Sequence, residues 1–210
     1  MTAGDWRLRL KPGLAALKLD LPAGSEEKLL AFVELLQKWN RAYNLTAVRD
    51  PEEMLVKHVL DSLAVLPYVV HGPVLDVGTG AGLPGIPLAV AQPDMQFTLL
   101  DGNGKKARFV THAAGALGLA NVTAVQSRVE DYRPESGFAT VLSRAFASLG
   151  DFLRLAGHAA APGGRLLAMK GAHPEQELAD IPAGYKLLGV HTLEVPGLKA
   201  ERCVVEIEKS

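Results

Sequence analysis

One stretch, Asp76-Val77-Gly78-Thr79-Gly80-Ala81-Gly82-Leu83-Pro84-Gly85, restricts this chain more than any other. It closes the short apolar run Pro73-Val74-Leu75-Asp76-Val77 and opens a helical pattern. Glycines at such a junction let the backbone turn sharply and let a ligand press against main-chain N–H groups. A strand, a glycine turn and a helix in that order belong to open parallel sheets, which bind ligands outside the carboxyl ends of their strands.

The rest of the chain repeats the rhythm. Further apolar runs occupy residues 96–100, ending in Asp101, and then 122–125, 138–142 and 165–169, the last entered by Pro162-Gly163-Gly164. Helical patterns over roughly 85–92, 103–117 and 149–160 separate them. Alternation of this kind predicts an α/β fold, a parallel sheet with helices on both faces. Residues 187–194 and 202–208 are strand-like and flank Pro196-Gly197, which predicts a closing antiparallel pair.

Before Gly72 the pattern is helical, so the chain divides into a tail and helical extension over 1–71 and a core over 72–210, built as one structural unit. Ser25 is placed to cap a first helix that buries Leu29, Phe32, Val33, Leu36 and Trp39 and ends near Asn40 to Asn44. Asp50-Pro51-Glu52-Glu53 reads as a second start, with Asp50 the cap, Pro51 the first helical residue and Glu53 set for a capping box. That helix should run to about Val70, with Leu55, His58, Val59, Ser62, Leu63 and Leu66 on one face.

With 210 residues, 48% of them hydrophobic and 21% charged, the chain can bury one sizeable core. No apolar run approaches the ~18–20 residues of a membrane helix. The first residues carry Arg7, Arg9 and Lys11 with no apolar stretch behind them, so no secretory signal is expected and the cytoplasm is the expected location. A single cysteine, Cys203, excludes an intrachain disulfide and a Cys-rich zinc site, and six scattered histidines predict no metal. Twenty-two basic against 23 acidic residues leave a net charge of -1, so any nucleic acid must be met by local basic patches.

Read literally, Gly80-Ala81-Gly82-Leu83-Pro84-Gly85 satisfies the dinucleotide fingerprint, with Asp101 at a distance suited to a ribose. Two details favour S-adenosylmethionine. Asp76, two residues before Gly78, can face a cationic methionine end, whereas a diphosphate there would meet like charge. Pro84 and Pro87 also remove N–H donors that a phosphate would need. Asp101 can accept both hydroxyls of a ribose diol. Glu130, after the third apolar run, lies where an adenine would sit.

The acceptor is narrowed by what is missing. Methylation at pyrimidine C5 needs a nucleophilic cysteine, and Cys203 sits in an apolar strand, where it reads as core. Amino-methylating enzymes of this fold carry Pro-Pro-aromatic after the fourth strand, where this chain has Ser143-Arg144-Ala145-Phe146. A ring nitrogen such as guanine N7 has a free lone pair and needs neither group. Lys105, Lys106 and Arg108 follow the second strand, while Arg128, Arg144 and Lys170 lie near the ends of the third, fourth and fifth, where they can gather around RNA phosphates. His58, with Asp61 at i+3, reads as a core histidine held by a carboxylate rather than a base. A small-molecule or protein acceptor, a nicotinamide oxidoreductase, and a non-catalytic RNA-binding module stay open at this point.

The chain resembles the bacterial ribosomal RNA small subunit methyltransferase G family, also called glucose-inhibited division protein B. The likeness rests on Trp39-Asn40, Tyr43-Asn44-Leu45-Thr46, His58-Val59-Leu60-Asp61-Ser62-Leu63, Asp76 through Pro87, Gln126-Ser127-Arg128-Val129-Glu130, Ser143-Arg144-Ala145 and Lys170-Gly171. It implies a class I methyltransferase, Rossmann-like, with a seven-stranded sheet whose last strand is antiparallel. It implies S-adenosyl-L-methionine as methyl donor and N7 of a 16S ribosomal RNA guanine, in naked RNA or the small subunit, as acceptor. Matching positions imply that Gly78, Leu83, Val129, Glu130 and Arg144 contact the cofactor, alongside Asp76, Gly80, Gly82 and Asp101 from the loop reading. Asn44, His58, Arg128 and Lys170 would serve the acceptor side, with Arg144 and Lys170 lining the transfer cleft. The family often reads Asp-Ser-Leu-x-Lys-Arg after the second strand; here it is Asp101-Gly102-Asn103-Gly104-Lys105-Lys106, a looser loop without the bidentate Arg. A monomer is expected.

Overall fold

The computed structural model describes residues 6–144 and 146–210; the first five residues of the tail, and Ala145 of the Ser143-Arg144-Ala145 motif, lie outside the described residues. Seven strands form one sheet in the order β3-β2-β1-β4-β5-β7-β6. They are β1 (Val74–Val77), β2 (Phe97–Asp101), β3 (Val122–Gln126), β4 (Phe138–Ser143), β5 (Ala160–Lys170), β6 (Tyr185–Thr192) and β7 (Cys203–Lys209). The first five are parallel, and β7 inserts antiparallel between β5 and β6. Strand order reverses between β1 and its neighbours β2 and β4, which opens a crevice at their carboxyl ends.

Fully buried strands covered on both faces read as near-continuous apolar runs, and β1 is buried at every position. One face carries α5 (Gly85–Ala91) and α6 (Gly104–Ala116), over which lies the N-terminal extension. The other face is covered by α7 (Leu149–Ala156), whose Leu149, Phe152 and Leu153 pack on Leu75, Val141 and Leu166. Every residue of α5 is buried, because the extension closes over the side that would otherwise meet solvent.

The extension departs from the sequence reading in four places. A helix, α1 (Leu10–Ala16), occupies what was read as tail. α2 (Ser25–Tyr43) starts without a side-chain cap, because the Ser25 hydroxyl donates instead to the Val90 carbonyl and pins α2 to α5. Asp50 does cap α3 (Pro51–Met54) by accepting from Glu53 N–H, but Glu53 answers Lys57, so the capping box is half-formed. The helix then continues as a π-helical stretch, Leu55–Leu60, and a last turn, α4 (Asp61–Leu63). A separate 3-10 turn, Leu66–Tyr68, replaces its predicted end. A π-helical insert rotates the next turn about the helix axis, here the turn that carries Asp61, and is a common device at functional sites.

In the core, Pro162-Gly163-Gly164 falls inside β5 as an irregularity against β4, rather than ahead of the strand. The predicted helix over 149–160 stops at Ala156 and ends in a 3-10 turn. A short α8 (Glu175–Leu178) follows β5, in a stretch without a helical apolar pattern. Among the described residues, no helix is long and apolar enough to cross a membrane.

Candidate active site

Most N–H donors of the glycine loop are spent inside the protein. Gly78 and Thr79 N–H donate to the Leu100 carbonyl, and Leu83 and Ile86 N–H donate to Thr79 and Gly82 carbonyls. Gly80 N–H donates to Asp101 Oδ2 at 2.8 Å, and Gly85 N–H to Asp76 Oδ2 at 2.8 Å. Pro84 and Pro87 have none to give. The start of α5 therefore lacks the spare N–H groups that make a helix N-terminus an anion site, which argues against a diphosphate here.

Asp76 sits under this loop with no exposed surface. Its Oδ2 also accepts from the Thr79 hydroxyl at 2.7 Å, while Oδ1 is buried without a hydrogen-bond partner. Burial pushes its carboxyl up to about 6, against the lowering effect of Thr79 and Gly85. A buried carboxylate with one orphaned oxygen suits a cationic partner. Part of the residue's work is structural, since it ties the strand end to the loop and the helix start.

Asp101, 8% exposed, ends β2 beside it. Each oxygen takes one main-chain N–H, from Gly80 and, at 2.8 Å, from Asn103. A carboxylate has about four acceptor sites, so a diol can still be accepted. Lys106 Nζ lies 3.9 Å away. Gly82 has φ +81, and a Cβ there would meet Ile86 at 2.5 Å, so the loop turns as only glycine can. Gly85 lies against Leu99 and Asp76. Leu83 is buried in the core; Val129 is buried with Val77 and Leu100, and Glu130 beyond it is exposed. Asp76 and Asp101 thus lie side by side under the loop, while Leu83 and Val129 belong to different core clusters.

The residues expected on the acceptor side are split by the structure. A cavity of about 410 Å³ joins His58, Arg144 and Lys170 with Val48, Lys57, Asp61 and Arg202. Asn44 lies outside its lining, as the left-handed cap that ends α2, where its Oδ1 accepts from Arg49. Arg128 is exposed beside Gly102, also outside the cavity.

The cavity is organised by Asp61, 1% exposed. Arg144 NH1 donates to its Oδ2 at 3.0 Å and Arg202 Nε to its Oδ1 at 2.8 Å. Arg144 reaches the Lys57 carbonyl as well. The expectation that Asp61 holds His58 is therefore corrected, because the carboxylate is taken by two guanidiniums. His58 instead pairs through Nε2 with the Thr46 hydroxyl at 2.9 Å, and its buried Nδ1 has no partner. Burial, helped by the Arg144 charge, lowers its pKa from 6.5 to about 4, so it is neutral at pH 7.

Lys170 lines the cavity but is already committed. Its ammonium donates to Glu177 Oε2 at 2.9 Å and to the Ala147 carbonyl at 3.0 Å. The Glu177 carboxylate also accepts from Leu149 N–H at the start of α7. Lys170 thus fastens the segment after β4, including the start of α7, to α8. Cys203 is buried, with burial raising its thiol pKa, as its core reading requires.

Arg202 and the role of Asp61 were missed in the sequence. A signal existed for Arg202. The closing strands were expected to be antiparallel, and a strand running against its neighbours brings its first residue, not its last, to the carboxyl edge. In the sheet, Cys203 pairs with Lys170, and Arg202 arrives at that edge.

A family profile described as rRNA small subunit methyltransferase G matches residues 25–205. The Ribosomal RNA small subunit methyltransferase G of Aeromonas salmonicida is 55% identical over 181 residues, covering 86% of this chain and 87% of that protein. The protein of the same name from Shewanella amazonensis is 50% identical over 202 residues, covering 96% and 98%. Among solved structures, a SAM dependent methyltransferase from Aquifex aeolicus superposes with a TM-score of 0.58 at 20% identity, covering 77% of this chain and 94% of that one. That likeness speaks for the fold alone.

Proposed function

The chain belongs to the rRNA small subunit methyltransferase G family, and on that premise we propose how its residues divide the work of methylating N7 of a 16S ribosomal RNA guanine. The methyl donor is S-adenosylmethionine, whose sulfonium carries an activated methyl group. The reaction is an in-line displacement, so the protein's main contribution is position and field.

Asp76, buried beneath the loop, turns its negative field toward the positive end of the cofactor from its unpartnered oxygen and keeps the loop closed with the other. Asp101 accepts the ribose hydroxyls. Leu83, Val129 and Glu130 border the base, and Gly78, Gly80 and Gly82 let the backbone approach. Arg144 and Arg202, both held by Asp61, face the acceptor, with Lys170 fixing the loop that carries Arg144 and neutral His58 supplying an uncharged wall. Guanine N7 has no proton to lose, which fits a cleft whose one histidine stays neutral. Arg128 and Asn44, outside the cavity, meet more distant parts of the RNA. In this reading the helices within the 1–71 extension are a cover, 72–210 is the methyltransferase core, and the enzyme acts as a cytoplasmic monomer.

The observation that carries this assignment of roles is a helix start with no spare N–H groups above the buried, half-satisfied Asp76 carboxylate, an arrangement that favours a cation over an anion. The test is nucleoside mass spectrometry of 16S ribosomal RNA, as naked RNA and as small subunits, with S-adenosylmethionine and with or without the protein. One 7-methylguanosine per RNA is expected. Methylation at another atom, or none on either substrate, overturns the reading.

A further inference from the structure

The rings between α2 and α6 form a graded series from core to solvent. Phe109 is fully buried, Trp39 half-buried, and Tyr43, the last residue of α2, is 45% exposed. The Trp39 ring centroid lies 5.5 Å from Phe109 and 5.1 Å from Tyr43, with Trp39 and Tyr43 stacked at 30°. His112 adds a fourth ring 5.0 Å from Trp39. Phe32 and Phe109 already fasten the two helices at 6.3 Å, so packing alone does not call for the outermost ring.

Helix direction places these rings near the site. α2 climbs to the carboxyl edge of the sheet: Ser25 at its start bonds Val90 near the end of α5, and Val48, just past its end, lines the cavity. α6 starts at that edge, directly after Asp101 and its Asn103 cap. The upper parts of both helices therefore flank the glycine loop. There α6 presents Lys105 and Arg108, three residues apart on one stripe that continues to His112. Both cations are exposed and make no ion pair among the described residues.

We infer that this face is a stacking platform for single-stranded RNA flanking the target guanine, with a base on the outer face of Tyr43 and phosphates over Lys105 and Arg108. The inference rests on the ribosomal RNA reading of the site. In an A-form helix N7 lies in a deep, narrow groove that side chains cannot enter, so the acceptor must come from an unpaired segment. The neighbours of such a base are free to stack on an aromatic ring, and every base has a π-face. A chain with net charge -1 also needs a source of RNA affinity other than bulk attraction.

The experiment compares wild type, Tyr43→Ala, Tyr43→Phe and the double variant Lys105→Ala/Arg108→Ala. Two readouts are taken: steady-state methylation of 16S ribosomal RNA, and direct binding of a single-stranded RNA oligonucleotide of about ten nucleotides. Tyr43→Ala should raise both the KM for RNA and the oligonucleotide Kd about tenfold. Its kcat at saturating RNA and its S-adenosylmethionine Kd should not move, and Tyr43→Phe should restore binding. The double variant should flatten the salt dependence of oligonucleotide binding by a slope of roughly one to one and a half. Unchanged RNA KM and Kd in Tyr43→Ala overturn the inference, as does a parallel fall of cofactor affinity and melting temperature. The oligonucleotide arm needs no methyl transfer. A wild type that binds through Tyr43 yet modifies no guanine sinks the proposed function and leaves the platform standing.

Discussion

The carboxylate of Asp61 and the guanidinium of Arg144 meet at 3.0 Å, joining the last turn of the α3–α4 helical segment to the residue just past β4. Eighty-three residues separate them in the chain, and the same carboxylate holds Arg202 at 2.8 Å from its other oxygen. One negative charge thus fixes the direction of two positive ones, each about three-quarters covered, at the mouth of the cleft.

Removing Asp61 should therefore cost both stability and orientation. Asp61→Ala leaves two part-buried guanidiniums facing each other, and a loss of roughly 3 kcal/mol is expected in urea unfolding. Asp61→Asn keeps one acceptor but loses the same charge, so it should recover only part of that stability, while lowering kcat/KM for RNA about tenfold through misplaced arginines. Calorimetry should find its S-adenosylmethionine affinity unchanged. An Asn variant with wild-type kcat/KM contradicts the positioning role.

Two buried groups oppose each other in acid. The folded-state pKa of Asp76 is raised from 3.8 to about 6, so its contribution to stability falls as pH rises from about 4 to 6. That of His58 is lowered from 6.5 to about 4, so its contribution is lost as pH falls from 6.5 toward 4. Each is on the order of 3 kcal/mol, with opposite sign. Urea unfolding of wild type should be nearly flat in pH across this window from these two groups. Asp76→Asn should leave stability rising with pH, and His58→Gln should leave it falling. Parallel curves for all three proteins would refute the pairing.

Ligand binding has its own pH signature. If the ionised form of Asp76 attracts the cofactor's positive end, S-adenosylmethionine affinity should weaken below about pH 6, where the carboxyl becomes protonated. A drop of roughly tenfold between pH 8 and pH 5 is expected by titration calorimetry. The Asp76→Asn protein should bind weakly and without that dependence. A wild-type affinity constant from pH 5 to 8 would remove Asp76 from the cofactor's charge partners.

Much of this was legible in the sequence because it is local. The strand–loop–helix junctions follow from apolar runs and glycines, and the Asp50 cap from a four-residue pattern. Asp76 and Asp101 declared themselves as carboxylates at the carboxyl ends of apolar strands. What the sequence hid is long-range competition for polar partners. Asp61 is three residues from His58, so the local reading paired them, yet two arginines from distant strand ends win the carboxylate. Ser25 has the chemistry of a cap, but a buried carbonyl 65 residues away takes its hydroxyl. Lys170 looked like a free cation until α8 supplied Glu177. Such choices depend on which groups the fold buries together, and periodicity carries no information about that.

Gly85 offers the sharpest test of how tightly the loop is built. It opens α5 directly over the sheet, where an added Cβ would run into the Leu99 side chain and come within 2.9 Å of Asp76 Oδ2. Its φ is ordinary for any residue, so the constraint is space, not backbone freedom. Gly85→Ala must push α5 away from β2 or move the Asp76 carboxylate off its bond to the residue-85 N–H. Overpacking of this kind costs about 1–3 kcal/mol, which urea unfolding would resolve. Because Asp76 is the group displaced, S-adenosylmethionine affinity should fall by more than the stability loss requires, with well-folded protein at low temperature still binding poorly. The companion Leu99→Ala, made in the Gly85→Ala background, reopens the apolar side of the clash and should recover part of the affinity. Full affinity in Gly85→Ala alone would mean that the loop can relax without disturbing Asp76, and that the geometry of that carboxylate matters less than its charge.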